Sequence, residues 1–223
     1  MTLSLTSEFS ETKRHLIEAG IALMRRKGFN ATSVDEICHA AEVTKGAFFH
    51  YFKSKEDLAK AAITWFQENK VNDFANAPFR KLADPLDRVL GRLDYLKESY
   101  CGENRLIKGC LFGMFAQEMS FINPALRGLC QDAFMQASAD VARDLTEAKT
   151  LHAPDASFDP KNVAMLYVSI VQGSLMLAKT SEDNRVILEN LDQFRSYLQS
   201  LFGTSPAKLT NVSATDSSKN QLN

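Results

Sequence analysis

The segment SVDEICHAAEVTKGAFFHYFKSKED, residues 33–57, constrains the fold more than any other part of the chain. Ser33 and Glu36 form a capping-box pattern, which predicts the start of a helix. A two-residue turn separates this helix from Thr44, which caps a second short helix ending near His50. The spacing therefore predicts a helix, a tight turn, a second helix and the capped start of a third.

The rest of the chain is also predicted to be helical. No long run alternates apolar and polar residues, so the sequence does not indicate a strand. The six prolines lie at the borders of the periodic segments, where helices begin or end. The predicted helices span approximately residues 10–27, 33–41, 44–50, 54–69, 85–100, 108–121, 123–148, 159–179 and 183–202. The predicted fold class is all-α.

The length of 223 residues allows one large domain or two small ones, each with an apolar core. We predict an N-terminal helix-turn-helix domain with its preceding tail at residues 1–58 and a larger helical domain at residues 59–202. Residues 203–223 are polar and rich in Ser, Thr and Asn. Such a segment cannot bury enough apolar surface to order itself, so a disordered tail is expected.

The composition also indicates the cellular compartment of the protein. No stretch approaches the roughly 20 apolar residues that a membrane span needs, and the N-terminus lacks the apolar core of an export signal. The four cysteines are scattered without paired spacing. A cytoplasmic protein with free thiols and no membrane partner is therefore expected.

An enzyme is the rival class, and the chain has none of the motifs that this class requires. There is no glycine-rich phosphate loop and no nucleophile elbow. Cys38 and His39 are sequence neighbours and point to different faces of a helix, which does not suit metal ligation. No catalytic residue, metal site or cofactor is predicted.

The second helix of the turn motif divides into two faces. Phe48 and Phe52 are four residues apart and form an apolar side. On the opposite side, Gly46 and Ala47 are small enough for the backbone to approach a DNA groove, and Lys45 can donate to guanine O6 and N7. From residue 44 to 55 there are three lysines and a histidine but no acid, despite the net charge of −1 for the whole chain. This local patch is suited to DNA phosphates.

Phosphate contacts are predicted around this helix. The hydroxyl groups of Thr32 and Ser33 lie at the start of the preceding helix, where free N–H groups suit anions. His50 and Tyr51 can donate to phosphates. Lys55, at the start of the following helix, is positioned for a second phosphate contact.

Residues 13–66 resemble the DNA-binding domain of the TetR/AcrR family of bacterial repressors. The matching residues are Leu16-Ile17-x-Ala19, Lys27-Gly28-Phe29, Ala31-Thr32-Ser33-Val34 and the continuous block from Val43 to Leu58. The family commonly has a tyrosine where this chain has Phe49, and a histidine is more usual where it has Tyr51. The resemblance, together with the arguments above, predicts DNA contacts at Thr32, Ser33, Thr44, Lys45, Gly46, Ala47, Phe49, His50, Tyr51 and Lys55.

The resemblance implies an all-helical homodimer with two DNA-binding heads and a ligand cavity in each larger domain. The predicted function is a transcriptional repressor that a small-molecule or thiol-reactive effector releases from a palindromic operator. The alternative is an activator, or a non-repressing DNA-binding protein, with the same heads. The sequence does not separate these possibilities.

The predicted effector site lies in a region of the larger domain that is rich in Met and Phe, whose side chains can repack around a guest. Gln117 and Glu118 interrupt an apolar run, so they either orient a ligand or face solvent or the dimer partner. Cys110 lies near a helix start beside Lys108, which would favour its thiolate, although a buried inert thiol is the alternative. Cys101 and Cys130 are possible resolving thiols. The predicted effector residues are Cys110, Met114, Gln117, Glu118, Phe134 and Tyr167.

The last two helices carry more apolar residues than one core-facing side needs, which predicts that they also form the dimer. Ser169, Gly173 and Ser174 would allow close approach of helices. The apolar positions are Val163, Leu166, Tyr167, Ile170, Val171, Leu175, Leu188, Leu191, Phe194, Leu198 and Leu201.

Overall fold

The computed structural model describes residues 10–101 and 109–203. These residues form nine α-helices and one 3-10 helix, and they contain no strand. The α-helices are α1 (Glu11–Lys27), α2 (Val34–Ala40), α3 (Lys45–Tyr51), α4 (Lys55–Ala75), α5 (Pro85–Tyr100), α6 (Leu111–Met119), α7 (Pro124–His152), α8 (Pro160–Ser181) and α9 (Arg185–Leu201). The 3-10 helix, Pro78–Lys81, precedes α5. The predicted all-α fold is confirmed.

Helices start where the capping residues predict. The hydroxyl of Ser33 accepts a hydrogen bond from the backbone N–H of Glu36, and the Glu36 carboxylate accepts one from the backbone N–H of Ser33. This pair completes the predicted capping box. Thr44 caps α3 by accepting from the N–H of Ala47. The predicted caps of α4, α7 and α8 also accept backbone hydrogen bonds: Ser54, Asn123 and Asp159.

Several helix ends differ from the prediction. α4 extends to Ala75, past the predicted end at Asn69, and α7 extends to His152, past Ala148. Each of these helices continues until shortly before a proline, which is the first residue that opposes helical geometry. α6 begins at Leu111 rather than near 108, because Gly109 adopts a left-handed φ of +68°.

Two predictions fall outside the described residues: the polar loop at 102–104 with the neighbouring Lys108, and the tail beyond Gly203. The domain division at residue 58 stays a prediction. α4 passes through that position without interruption, so the two predicted domains share a helix rather than a linker.

The first hydrophobic core joins the helix-turn-helix to part of the larger domain. Leu16 and Met24 of α1 are fully buried and belong to one cluster with Ile37 of α2 and Phe48 of α3. The same cluster includes, from α4, α6 and α7, Leu58, Ala59, Ala62, Ile63, Leu111, Phe115, Met119, Leu126 and Cys130. The DNA-binding helices are therefore packed directly on α6 and the start of α7.

A second core lies between α5, α7, α8 and α9, where Leu93, Leu145, Ala164 and Leu191 are fully buried. α8 is long and apolar enough to pass a test for membrane spans that considers length and composition only. The core helix of a soluble protein passes the same test, and α8 contacts both α7 and α9. This packing accounts for the buried part of its apolar surface, which is 39% of the most apolar 18-residue window.

The apolar residues of α8 and α9 form two groups. Most of the residues predicted for a dimer face lie in the core, since Val163, Tyr167, Leu175, Leu191, Phe194 and Leu198 are buried. The exposed apolar residues of the two helices are Met165, Leu166, Met176, Leu177 and Tyr197. Ser174 was expected to admit a partner helix, but it is buried and accepts a 3.0 Å hydrogen bond from Asn190 within the same chain. A partner would instead meet the exposed group.

Candidate nucleic-acid interface and effector cavity

The orientation of α3 is fixed by its apolar side. Phe48 is fully buried, and Phe52, just after the helix, is 3% exposed. The two ring centroids lie 5.8 Å apart. The turn before α3 is closed by Glu42, a non-glycine residue in the left-handed region with φ of +56°. Because these contacts hold one side of α3 on α1 and α2, the other side is presented to solvent.

The solvent-facing side of α3 carries the predicted base-contacting residues. Lys45, Gly46 and His50 are exposed, and Ala47 is half-buried. A Cβ atom built on Gly46 would meet only the Oγ1 atom of Thr44, at 3.6 Å, so the helix surface is open at this point. The structure thus places these small and basic residues together on one surface.

Lys45 forms an ion pair with the neighbouring helix α2. Its Nζ atom lies 2.7 Å from Oδ1 of Asp35 on α2, and both side chains are well exposed. The hydrogen bond from Lys45 to Asp35 raises the pKa of the lysine. A base contact by Lys45 would replace this surface ion pair, which contributes little by itself.

Two of the side chains predicted to contact phosphates form hydrogen bonds within the chain instead. Thr32 is 1% exposed, and its hydroxyl donates to the carbonyl oxygen of Gly28 at 2.7 Å. The ammonium of Lys55 donates to the carbonyl oxygens of Phe29 (2.9 Å) and Thr32 (2.7 Å), and it lies 4.2 Å from the centroid of the Phe29 ring. Both side chains stabilise the loop between α1 and α2, whose free carbonyl groups need donors.

The other predicted contact residues differ in whether their side chains already have partners within the chain. Ser33 is exposed, but its hydroxyl and its N–H both bond to Glu36. A hydrogen bond from Lys27, followed by those from Ser33, lowers the pKa of Glu36 to about 2. A phosphate at Ser33 would therefore meet a carboxylate that stays charged at neutral pH. Phe49 is 57% exposed, and its ring contacts that of Phe48 edge-on.

Aromatic residues at the end of α3 complete this surface. The rings of His50 and Tyr51 are perpendicular, with centroids 4.8 Å apart. His50 is exposed, whereas Tyr51 is half-buried against the first core. His50 is therefore the freer of the two to donate to a phosphate.

A cavity of about 770 Å³ lies in the larger domain. Three of the predicted effector residues line it: Cys110, Phe134 and Tyr167. Its aromatic wall includes Phe66 and Phe112, whose ring centroids are 5.3 Å apart. The size and the apolar wall suit a small organic ligand.

Three predicted effector residues do not line the cavity. The sulfur of Met114 lies 3.5 Å from Nζ of Lys179, and Gln117 is exposed to solvent. Glu118 points toward the DNA-binding helices instead. The interruption of the apolar run coincides with the solvent exposure of Gln117 and with the contact of Glu118 with the turn after α1.

Glu118 forms a polar contact between α6 and the turn after α1. Its carboxylate accepts hydrogen bonds from the backbone N–H groups of Phe29 (3.2 Å) and Asn30 (2.9 Å). The preceding residue, Gly28, has a φ of +90°, and an added Cβ there would clash with the Glu118 carboxylate. The left-handed φ favours glycine at position 28, because other residues rarely adopt it.

Charged residues that the sequence analysis missed also line the cavity: Arg25, Lys70, Arg80, Arg92, Asp140 and Arg143. Arg25 belongs to a basic last turn of α1, a pattern that usually only complements the helix dipole. Arg92 is one of several charged residues in α5. Only the tertiary arrangement shows that these side chains meet at a cavity.

A buried ion cluster forms one side of the cavity. Asp144 has a side chain that is 3% exposed, and it accepts from Nη1 of Arg80 at 2.8 Å and from Nε of Arg88 at 3.1 Å. Asp140 pairs with Arg80 and Arg92. Burial acts to raise the pKa of Asp140, but the charges of Arg92 and Arg80 lower it overall. The cluster ties α5, α7 and the 3-10 helix together.

The cysteines are free thiols in different surroundings. Cys110 is half-buried at the N-cap of α6, Cys101 is exposed, and Cys130 is buried. Burial, with a further contribution from Cys110, raises the pKa of Cys130 to about 11. Cys130 is therefore a thiol at neutral pH and a poor nucleophile for resolving an oxidised partner.

The exposed α3, its tight turn and the attached helical domain with a cavity define the protein as a helix-turn-helix transcriptional regulator. Residues 16–62 match the family described as bacterial regulatory proteins, tetR family, and residues 85–193 match the C-terminal domain described as transcriptional regulator LmrA/YxaF-like. The chain belongs to the TetR/AcrR family, whose regulators bind DNA and act as dimers. The family consists of transcriptional regulators rather than enzymes.

Named relatives cover most of the chain. It is 29% identical to the transcriptional regulator AcuR of Cereibacter sphaeroides over 74% of this chain and 74% of that protein. It is 25% identical to the transcriptional repressor DhaR of a Mycobacterium species, over 90% of this chain and 97% of the other. Among solved structures, the regulatory protein TetR from Rhodobacter sphaeroides has 26% identity and a TM-score of 0.74, with 86% of this chain and 100% of that one covered.

The reduced form of NemR from Escherichia coli shows the same fold. It has 22% identity and a TM-score of 0.73, over 84% of this chain and 96% of that one.

Proposed function

We propose that the protein is a transcriptional repressor, which binds a palindromic operator as a homodimer and leaves it when an effector enters the cavity. The observation that carries this proposal is the contact of Glu118 with the turn after α1. It connects α6, whose first turns carry the cavity residues Cys110 and Phe112, to the DNA-binding helices. Two relatives, DhaR and NemR, are named as repressors.

In this proposal α3 enters the major groove. Two heads related by a twofold axis would contact half-sites about 34 Å apart, one turn of DNA. After the corrections to Thr32 and Lys55, the proposed contacts are Ser33, Thr44, Lys45, Gly46, Ala47, Phe49, His50 and Tyr51. The exposed apolar residues of α8 and α9 would form the dimer, within the effector-binding domain at residues 59–202.

Release requires an effector that binds more tightly to a conformation whose head spacing does not fit DNA. A ligand beside Cys110 and Phe112 contacts the start of α6 directly. A shift of α6 would move Glu118 at its other end, and with it the turn between α1 and α2. The thiol of Cys110 is the proposed target if the effector is thiol-reactive.

The test is fluorescence anisotropy of the purified protein on the DNA upstream of its own gene, with a scrambled duplex for comparison. Sequence-dependent binding is expected, and transcription from that promoter in vitro should fall when the protein is added. A rise in transcription would support an activator with the same heads. Equal affinity for both duplexes would contradict operator recognition at this site.

A thiol alkylator separates the two kinds of effector. If Cys110 senses electrophiles, alkylation should release wild-type protein from DNA, and the Cys110→Ser variant should stay bound. If alkylation leaves wild-type binding unchanged, the thiol-reactive form of the proposal fails and a reversible ligand is indicated.

Replacement of Lys45 with alanine should weaken operator binding by about 1–3 kcal/mol and relax the preference at one base pair, because a base-edge donor is lost. The measurement is anisotropy on a set of operators with single base-pair changes. Lys161→Ala, which removes an equal charge from an exposed position in the first turn of α8, is the matched control. An equal loss on operator and random DNA would contradict a base contact by Lys45.

Replacement of Glu118 with glutamine should lower the free energy of unfolding by about 1–3 kcal/mol and raise the effector concentration needed for half-release. A glutamine has one acceptor oxygen, so its amide N–H group would face one of the two backbone N–H groups that Glu118 now binds. Chemical unfolding and effector titrations of the operator complex measure the two effects. Gln117→Ala, on the exposed neighbour, should change neither, and normal release by Glu118→Gln would contradict this coupling route.

A further inference from the structure

Arg25 differs from the other cations of the cavity in its partners. Lys70 pairs with Asp73, while Arg80, Arg92 and Arg143 all pair with Asp140. Among the residues that the structure describes, no carboxylate lies within ion-pair distance of Arg25. Its Nε atom donates to the carbonyl oxygen of Gly109 at 3.0 Å.

The surroundings of Arg25 solvate its charge only in part. Burial lowers the pKa of its guanidinium, which shows that solvation of the charge is incomplete. Its guanidinium carbon lies 5.4 Å from the centroid of the Phe66 ring, a contact that stabilises a cation less than an anion would. A partly buried guanidinium gains from an anionic partner more than a fully solvated one does, so this position favours a negative group.

Tyr100 supplies a second donor at the same end of the cavity. It lines the cavity with Arg25, whose charge opposes the effect of burial on the pKa of the Tyr100 phenol. Burial raises the pKa of Tyr100 to about 12, so it keeps its proton at neutral pH. A guanidinium donates hydrogen bonds and accepts none, and a protonated phenol can add one further donor, so the two groups together suit a carboxylate.

An apolar wall continues from the Arg25 end. Phe66 contacts Arg25, Phe112 lies 5.3 Å from Phe66, and Phe134 lies 6.1 Å from Phe112, measured between ring centroids. All three phenylalanines line the cavity of about 770 Å³. The cavity thus has a cationic end followed by a run of aromatic side chains.

We propose that the ligand of this cavity is an organic acid, whose carboxylate is bound by Arg25 with Tyr100 and whose apolar body lies along Phe66, Phe112 and Phe134. This inference names the ligand class and rests on the proposed function for the cavity as an effector site. Because Arg25 belongs to α1, a bound carboxylate would act directly on a helix of the DNA-binding domain, in addition to the route through Glu118.

The test uses octanoate and its neutral amide, octanamide, as probes of equal length in isothermal titration calorimetry without DNA. Wild-type protein should bind octanoate at least tenfold more tightly than octanamide. Arg25→Gln should remove this preference, and Arg25→Lys should keep part of it because the charge is retained. Arg26→Gln, which removes the adjacent exposed arginine, is the matched control and should behave as wild type.

The experiment distinguishes failure of the carboxylate site from failure of the proposed effector release. Equal affinity of wild type for both probes, absence of octanoate binding at millimolar concentration, or a preference that survives in a folded Arg25→Gln variant would overturn the carboxylate site. Octanoate binding that depends on Arg25 but does not weaken operator binding in anisotropy would support the site and contradict effector release. Arg25→Lys keeps the test decisive if the glutamine variant does not fold.

Discussion

Replacement of Phe48 with alanine is expected to lower the free energy of unfolding by about 3–5 kcal/mol and to abolish specific DNA binding. Phe48 is among the largest side chains that are fully buried, and it joins α3 to α1, α2 and Phe52. Truncation would remove its apolar contacts and leave a cavity beneath the helix that is proposed to enter DNA. Because the orientation of α3 depends on this side chain, the base-contacting surface would be lost with it.

Urea unfolding followed by circular dichroism measures the stability, and anisotropy on the operator measures binding. The control is Phe49→Ala, since Phe49 is the next residue and 57% exposed. Its stability should stay within about 0.5 kcal/mol of wild type, as for most surface substitutions. A Phe48→Ala protein with wild-type stability would show that α3 is held by other contacts.

The second large effect is expected for Asp144→Asn, which should cost about 3–5 kcal/mol of unfolding free energy. Asp144 binds Arg80 and Arg88 in a position where its side chain is only 3% exposed. The neutral amide of asparagine would leave the partly buried guanidinium groups of Arg80 and Arg88 without the negative charge that Asp144 now supplies. Loss of this contact would leave Arg80, which lines the cavity, with Asp140 as its remaining carboxylate partner among the described residues.

Thermal and urea unfolding test this prediction, with calorimetry for ligand binding. Asp183→Asn is a suitable control because Asp183 pairs with Arg185 at the surface, where an ion pair contributes little. If Asp144→Asn and Asp183→Asn unfold alike, the buried cluster does not hold α5 on α7.

Local signals in the sequence predicted the helices well. Ser33, Thr44 and Ser54 identify helix starts because the capping hydrogen bond involves residues only three positions apart. The ends of α4 and α7 were misplaced because no such local signal stops a helix before a proline. The exposed surface of α3 followed from the position of Phe48 and Phe52 on its other side.

Contacts between distant residues could not be predicted in this way. Lys55 and Glu118 appeared as a phosphate contact and a ligand contact, respectively, but both bind backbone groups of the loop between α1 and α2. Glu118 and Asn30 are 88 residues apart in sequence. For the same reason Arg25, at the end of α1, gave no sign that it would face a cavity in the larger domain.

Two features affect the design of chimeric regulators: α4 runs without interruption through residue 58, and Glu118 binds the turn after α1. A chimera that joins residues 1–58 of this chain to the sensor of another regulator would cut within α4 and would remove Glu118 from its two backbone donors. The transplanted head would then depend on whether the new α6 offers an acceptor opposite Phe29 and Asn30. Exchange of DNA-binding domains between family members therefore depends on the contact between α6 and the turn after α1 as much as on the position at which the two chains are joined.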